Sequence, residues 1–218
     1  MPTEIFCIGI SGTSGSGKST LLRELSARLP ETVSLAFDDY ISVSNVPADI
    51  VGWLDAGADL NAFQTPQLAT NLAALRAGKK VHSPQGQMIS PAPFLLVEEP
   101  FGRARRELQG LLDLVVFLDT PMDIALARRV IRTLESGSRE ATDQLRHVVT
   151  DLKAFLQAGR RAYQVAVDEA RRTSDIVLDG TLPPQSWIET VSLELQRRGH
   201  SALPAAQDFS ETVFTHSK

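Results

Sequence analysis

The chain has 218 residues, 43% of them hydrophobic, enough to bury a proper core as one domain with an insertion. Its 26 acidic residues outweigh its 22 basic ones, and the net charge of -4 argues against a nucleic-acid coat protein. No apolar run approaches the ~20 residues of a membrane span, the N-terminal apolar run has no basic leader, and the single cysteine leaves no internal disulfide. The expectation is a cytoplasmic protein with no membrane or nucleic-acid partner, in which Cys7 is a buried packing residue.

Ile5-Phe6-Cys7-Ile8-Gly9-Ile10 is a continuous apolar run, which predicts a buried parallel strand. Directly after it, Gly12-Thr13-Ser14-Gly15-Ser16-Gly17-Lys18-Ser19 matches the phosphate-binding pattern G-x-x-x-x-G-K-[ST]. Glycines there let backbone N–H groups turn inward, and the following helix points its positive end at the same anion. Lys18 is expected to reach the β- and γ-phosphates of a nucleoside triphosphate, and the Ser19 hydroxyl to sit on its Mg²⁺. Leu21, Leu22, Leu25 and Leu29 then recur at helical spacing until Pro30 stops the run.

Val33 to Phe37 predicts a second strand, followed by Asp38-Asp39-Tyr40. A carboxylate at Asp38 would face the phosphate loop and could take a proton from an attacking hydroxyl. Ile41 to Pro93 holds Pro47, Pro66, Pro84, Pro91 and Pro93 and reads as a substrate-covering insertion. Its one predicted helix opens at Thr65-Pro66, is lined by Leu68, Leu72 and Leu75, and closes at Gly78. Trp53, Phe63, His82 and Phe101 are candidates to line an acceptor pocket. Asp49-Ile50-Val51-Gly52 has the D-x-x-G spacing of a GTPase switch. No apolar strand precedes it, though, and no [NT]-K-x-D tetrapeptide occurs in the chain, so the switch reading is disfavoured.

Phe94 to Val97 predicts a third strand ending in Glu98-Glu99, and Glu98, next to the apolar run, suits an acid that holds Mg²⁺. Leu114 to Leu118 predicts a fourth, ending at Asp119, read as a helix-start or structural acid. Thr120-Pro121 opens a helix carrying the stripe Ile124, Ala127, Ile131 and Leu134, with Gly137 past its end. Arg128 and Arg132 stand one turn apart on it, beside Arg129, and Arg139 follows; such arginines can close over a triphosphate. Residues 140–172 read as helical with a break at Gly159, Ile176 to Leu178 as the last strand, and Pro183 to Arg198 as the last helix. Arg160, Arg161, Arg171, Arg172, Arg197 and Arg198 read as solvated, while Arg103, Arg105 and Arg106 carry no assigned role. Residues 200–218 read as a loosely attached tail. Strands alternating with helices imply an α/β fold, a parallel sheet covered on both faces, with ligands beyond the strands' carboxyl ends.

With those motifs placed, the chain resembles the uridine kinase and nicotinamide riboside kinase group of phosphate-loop kinases, over roughly residues 4–198. The likeness is carried by Ile8 through Leu21, Phe37-Asp38-Asp39-Tyr40, Phe94 through Glu98, Asp113 through Asp119 with Arg128 to Arg132, and Ser174 through Gly180. It implies a phosphate-loop NTPase fold with a five-stranded parallel sheet flanked by helices, in one kinase domain at 1–199. Residues 41–93 would bind the acceptor and 128–160 would form a lid. It implies ATP as donor, its phosphates held by Gly12 through Thr20 with Arg128 and Arg132, and Asp179-Gly180 bordering the adenine. Mg²⁺ would sit near Ser19, Glu98 and Asp38, with Asp38 as base. Asp39, Tyr40, Phe63, Gln64 and Arg139 are the acceptor-binding candidates.

Two departures stand out. Riboside-specific members look like Ala-Phe-Asp where this chain has Ala62-Phe63-Gln64, so Asp55 or Asp59 would have to substitute for the ribose-holding acid. Members often show Glu-Gly where this chain has Glu98-Glu99-Pro100. The expectation is an ATP-dependent kinase for a small hydroxyl-bearing metabolite, with room for a homo-oligomer. The alternative is a nucleotide-binding module that has lost acceptor chemistry.

Overall fold

The computed structural model describes residues 5–136, 141–201 and 203. Five strands, β1 (Phe6–Ser11), β2 (Thr32–Ala36), β5 (Phe94–Glu98), β6 (Leu114–Asp119) and β7 (Ile176–Asp179), form one sheet in the order β2-β5-β1-β6-β7. Every pairing in it is parallel. β1 is the middle strand, with Ile10 level with Glu98 on one side and Val116 on the other. The expected strands are therefore all present, each shifted by a residue or so.

Alternating side chains on β1 explain why the sheet is covered on both faces. Ile8 and Ile10 pack with Leu21 and Leu25 of α1 (Lys18–Ser26) and with Trp187, Ile188 and Val191 of α7 (Pro184–Arg197). Cys7 points the other way, into a cluster with Leu68, Leu72 and Leu75 of α3 (Pro66–Arg76). Leu25 is fully buried, so Leu25→Ala would cost ~2–5 kcal/mol through lost burial and the cavity left behind. Burial pushes the Cys7 thiol up to about 12, as befits a packing residue.

Between β2 and β5 the chain is more structured than its proline content suggests. A 3₁₀ turn (Phe37–Val43) leads to the short α2 (Ile50–Asp55). After α3, a hairpin forms from β3 (Val81–His82) and β4 (Met88–Ile89). Neither α2 nor the hairpin was legible as an element. Asp49 caps α2, accepting from the Gly52 N–H at 3.0 Å, so the D-x-x-G spacing here is a helix start.

The helix α4 (Met122–Glu135) corrects the expected apolar stripe. Its one buried residue is Ala125, while Ile131 and Leu134 are 52% and 40% exposed. The helix meets the phosphate loop backbone to backbone: a Cβ on Gly15 would lie 2.1 Å from the Ala125 carbonyl oxygen. Small residues, not leucines, fit that approach. Gly159 is likewise no break. α5 (Ala141–Ala154) runs through a wide π turn (Phe155–Gly159) into α6 (Arg160–Arg172), and Gly159 keeps helical angles of φ -58 and ψ -39. Asp119 pairs with Arg171 at 2.8 Å, a structural acid, and Arg198 bridges Asp175 and Glu194 instead of standing free. Among the described residues no helix is long and apolar enough to cross a membrane.

Candidate active site

The phosphate loop joins β1 to α1 at the carboxyl edge of the sheet. Gly12 and Gly15 take φ of +142 and +89, conformations that side chains resist, and at both a Cβ would collide with neighbouring atoms. Gly17, also left-handed, precedes α1, whose amino end has no side-chain cap. Lys18 folds back over the loop, donating to the Thr13 carbonyl oxygen at 3.0 Å. Only 8% of it is exposed, and burial lowers its pKa against the opposing pull of Glu98 and Asp38. Among the described residues Thr13 Oγ1 and Ser16 Oγ are buried with no hydrogen-bond partner; of the two residues Thr13 lines the cavity, and Ser16 lies within the loop. An unpartnered oxygen at Thr13, beside the buried Lys18 ammonium, fits a loop shaped to receive an anion.

Glu98, at the end of β5, binds the loop together. Its carboxylate lies 3.5 Å from Lys18 Nζ and accepts from Ser19 Oγ at 3.2 Å. Asp38 stands two residues past β2 in the 3₁₀ turn, exposed, lining the same cavity. Among the described residues no cluster of three or more His, Cys, Asp or Glu side chains could hold a metal. Ser19 and Glu98 could supply two oxygens to Mg²⁺, an ion that characteristically keeps waters and substrate phosphates as its other ligands.

That cavity measures about 750 Å³ and runs from the loop to an aromatic wall. Arg128 and Arg132 of α4 border it. Arg132 Nη2 donates to Ser14 Oγ at 3.3 Å, and Arg128 Nη1 to the Gly180 carbonyl at 3.1 Å. On the far side Trp53 meets Phe63 edge-on at 5.1 Å, and Phe63 lies against Phe101 at 5.1 Å. α6 closes the cavity with Ala162, Tyr163 and Ala166.

Several expected site residues lie elsewhere. Tyr40 is 1% exposed in the core beneath α3, its hydroxyl accepting from Asn71 at 3.1 Å. Asp39 lies outside the cavity lining, and its carbonyl accepts from Gln85 at 3.1 Å. Gln64 is exposed and also outside the lining; its backbone exchanges hydrogen bonds with Asn45. Asp179 and Gly180 do not line the cavity either. The Asp179 carboxylate accepts from Thr181 N and Oγ1, which holds it below the usual carboxylate range. His82 sits on the hairpin, and Arg139 is outside the described residues.

No known protein-family model matches the chain. Curated relatives do. The uridine kinase of Borrelia turicatae (strain 91E135) is 28% identical over 184 residues, 78% of this chain and 84% of that protein. That of Clostridium tetani (strain Massachusetts / E88) is 24% identical over 184 residues, 78% and 85% of the two chains. That of Brevibacillus brevis (strain 47 / JCM 6285 / NBRC 100599) is 26% identical over 202 residues, 86% and 88%. The chain is similar to curated uridine kinases over most of its length. Among solved structures, a sugar kinase from Janibacter sp. HTCC2649 aligns over 88% of this chain and 95% of its own, with 18% identity and a TM-score of 0.47, too loose a likeness to bear on the site.

One side chain that the sequence did not single out is Arg105. It is 1% exposed and each of its three guanidinium nitrogens donates: Nε and Nη2 to Glu99, Nη1 to the Phe63 carbonyl, Thr65 Oγ1 and Glu107. Its guanidinium also lies 5.0 Å from the Phe37 ring centroid and 5.5 Å from that of Phe101. Glu99 is fully buried; burial pushes its carboxyl up while Arg105 pulls it back. The unusual Glu98-Glu99 pair thus divides its work. Glu98 faces the loop, and Glu99 anchors the arginine behind the aromatic wall.

Proposed function

We propose that the chain transfers the γ-phosphate of ATP to a hydroxyl of a small molecule. Supporting this are the unpartnered Thr13 Oγ1 of the cavity-lining phosphate loop and the relatives' printed activity. The observation that carries it is the convergence of Lys18, Ser19 and Glu98 within 3.5 Å, on a cavity that Asp38 also borders. Within one domain at 1–199, residues 41–93 form the acceptor side and 128–160 cover the nucleotide.

Loop amides and Lys18 hold the β- and γ-phosphates. Ser19 and Glu98 would hold Mg²⁺, which when bound would supply charge neutralisation at the phosphate oxygens. Asp38 accepts the proton of the acceptor hydroxyl as its oxygen bonds to the γ-phosphorus. The bond from that phosphorus to the β,γ-bridging oxygen breaks, and ADP leaves with the electron pair. Arg128 and Arg132 leave Gly180 and Ser14 to neutralise charge on the moving phosphoryl group. Catalysis is then mostly positioning and electrostatic stabilisation.

The test is ADP release by the purified chain with ATP, Mg²⁺ and a broad panel of alcohols. Acceptor-dependent release supports the reading. ATP binding by calorimetry with no acceptor stimulating release would overturn it, leaving a nucleotide-binding module.

A further inference from the structure

The acceptor end of the cavity is almost free of polar side chains. Of the charged residues lining the cavity, Lys18 and Glu98 bind each other at the loop, and Arg128 and Arg132, resting on Gly180 and Ser14, serve the phosphoryl group in the reading above. Among the described charged residues that leaves Asp38 for an acceptor. The Tyr163 hydroxyl already accepts from Arg129 at 2.9 Å. Asp55, Asp59 and Gln64 lie outside the lining. Asp55 pairs with Arg161 at 3.7 Å, and the Asp59 carboxylate accepts from Asn61.

What faces the acceptor instead is apolar. Trp53, Phe63 and Phe101 form the wall, and Ile41 and Val46 line the cavity while 40% and 39% exposed. Exposed apolar side chains gathered round a concave site are satisfied by an apolar occupant.

Resting on the kinase reading above, we infer that the acceptor is a small primary alcohol carrying one reactive hydroxyl on an apolar, ring-sized body, not a nucleoside or a sugar. The hydroxyl meets Asp38 and the body lies against Trp53, Phe63 and Phe101. The transfer itself is unchanged: the alcohol oxygen bonds to the γ-phosphorus, its proton passes to Asp38, and ADP departs with the bridging oxygen. A polyol would bring further hydroxyls that lose water and find no side-chain partner, each costing roughly tenfold to a hundredfold in affinity.

The experiment compares kcat/KM for ADP release with benzyl alcohol, indole-3-ethanol and isoamyl alcohol against uridine, ribose and glycerol. The expected result is at least a hundredfold advantage for the best apolar alcohol. Uridine, ribose or glycerol as the best acceptor overturns this inference and leaves the kinase reading standing. Release with neither set, despite ATP binding, removes both. Val46→Asp, at a 39% exposed position where folding tolerates charge, supplies the second arm. It is expected to lower kcat/KM for the apolar alcohols about tenfold and to raise that for uridine, and an unchanged ranking overturns the assignment.

Discussion

Arg105 and Glu99 form a forked ion pair in which neither side chain is more than 1% exposed. An arginine so buried is stable only because each of its nitrogens has a partner, and one of those partners, Phe63, lines the cavity. Arg105→Met leaves Glu99 buried without its cation. The expected loss is ~3–5 kcal/mol of stability, read by guanidinium unfolding followed by circular dichroism. A loss below ~1 kcal/mol, the range of surface pairs, would show that water reaches Glu99 in solution.

Asp38 is exposed and, among the described residues, its side chain makes no hydrogen bond or ion pair, acting on Lys18 only through its charge. Asp38→Asn therefore keeps the fold and the ATP dissociation constant, while kcat falls ~10²–10⁴-fold, the range for loss of a general base. Calorimetry and steady-state kinetics on the same preparation separate the two effects. Unchanged turnover would remove Asp38 from the chemistry.

Glu98 accepts from Ser19 and pairs with Lys18, so on the proposed reading its charge serves both the metal side and the loop. Glu98→Gln should raise the Mg²⁺ concentration for half-maximal rate by ~10–100-fold, in line with losses of a metal-site carboxylate partner. Ser19→Ala should act in the same direction and less strongly. A Mg²⁺ requirement untouched by Glu98→Gln would place the ion elsewhere.

Cys7 predicts a pH signature. Its thiol is held at about 12 in the folded chain against 9.0 when unfolded. The unfolded chain loses that proton first, so this group's contribution is present below pH 9 and drains away as pH rises toward 12. Between those limits the slope is ~1.4 kcal/mol per pH unit. Lysines and tyrosines titrate there too, so the measurement is the difference between the parent chain and Cys7→Ala, unfolded in urea at pH 8 and pH 10.5. Cys7→Ala should flatten the decline; identical slopes would mean the thiol is not buried.

The parallel strands, the phosphate loop and Glu98 could be read from the sequence because each depends on neighbours in the chain: an apolar run, a glycine pattern, an acid at a strand's end. Tyr40 could not. It follows Asp38-Asp39 at what looks like a site, yet in the tight 3₁₀ turn it is carried beneath α3 onto Asn71. The stripe on α4 failed because helical spacing shows which residues share a face and not which face is buried. Here the decisive contact is Gly15 against the Ala125 backbone. Arg105 had no local signature, since its partners lie at Phe63, Thr65, Glu99 and Glu107. The only hint was Glu99 itself, an acid following an apolar strand beside one that already had a use.

Because β1 lies between β5 and β6, a polypeptide leaving the ribosome carries that strand with both edges bare until residues 94–98 emerge, and with one bare until residues 114–119 follow. Pairing over such separations is slow, and unpaired edges invite aggregation. The anion cradle at residues 12–19 therefore waits on strands synthesised long after it.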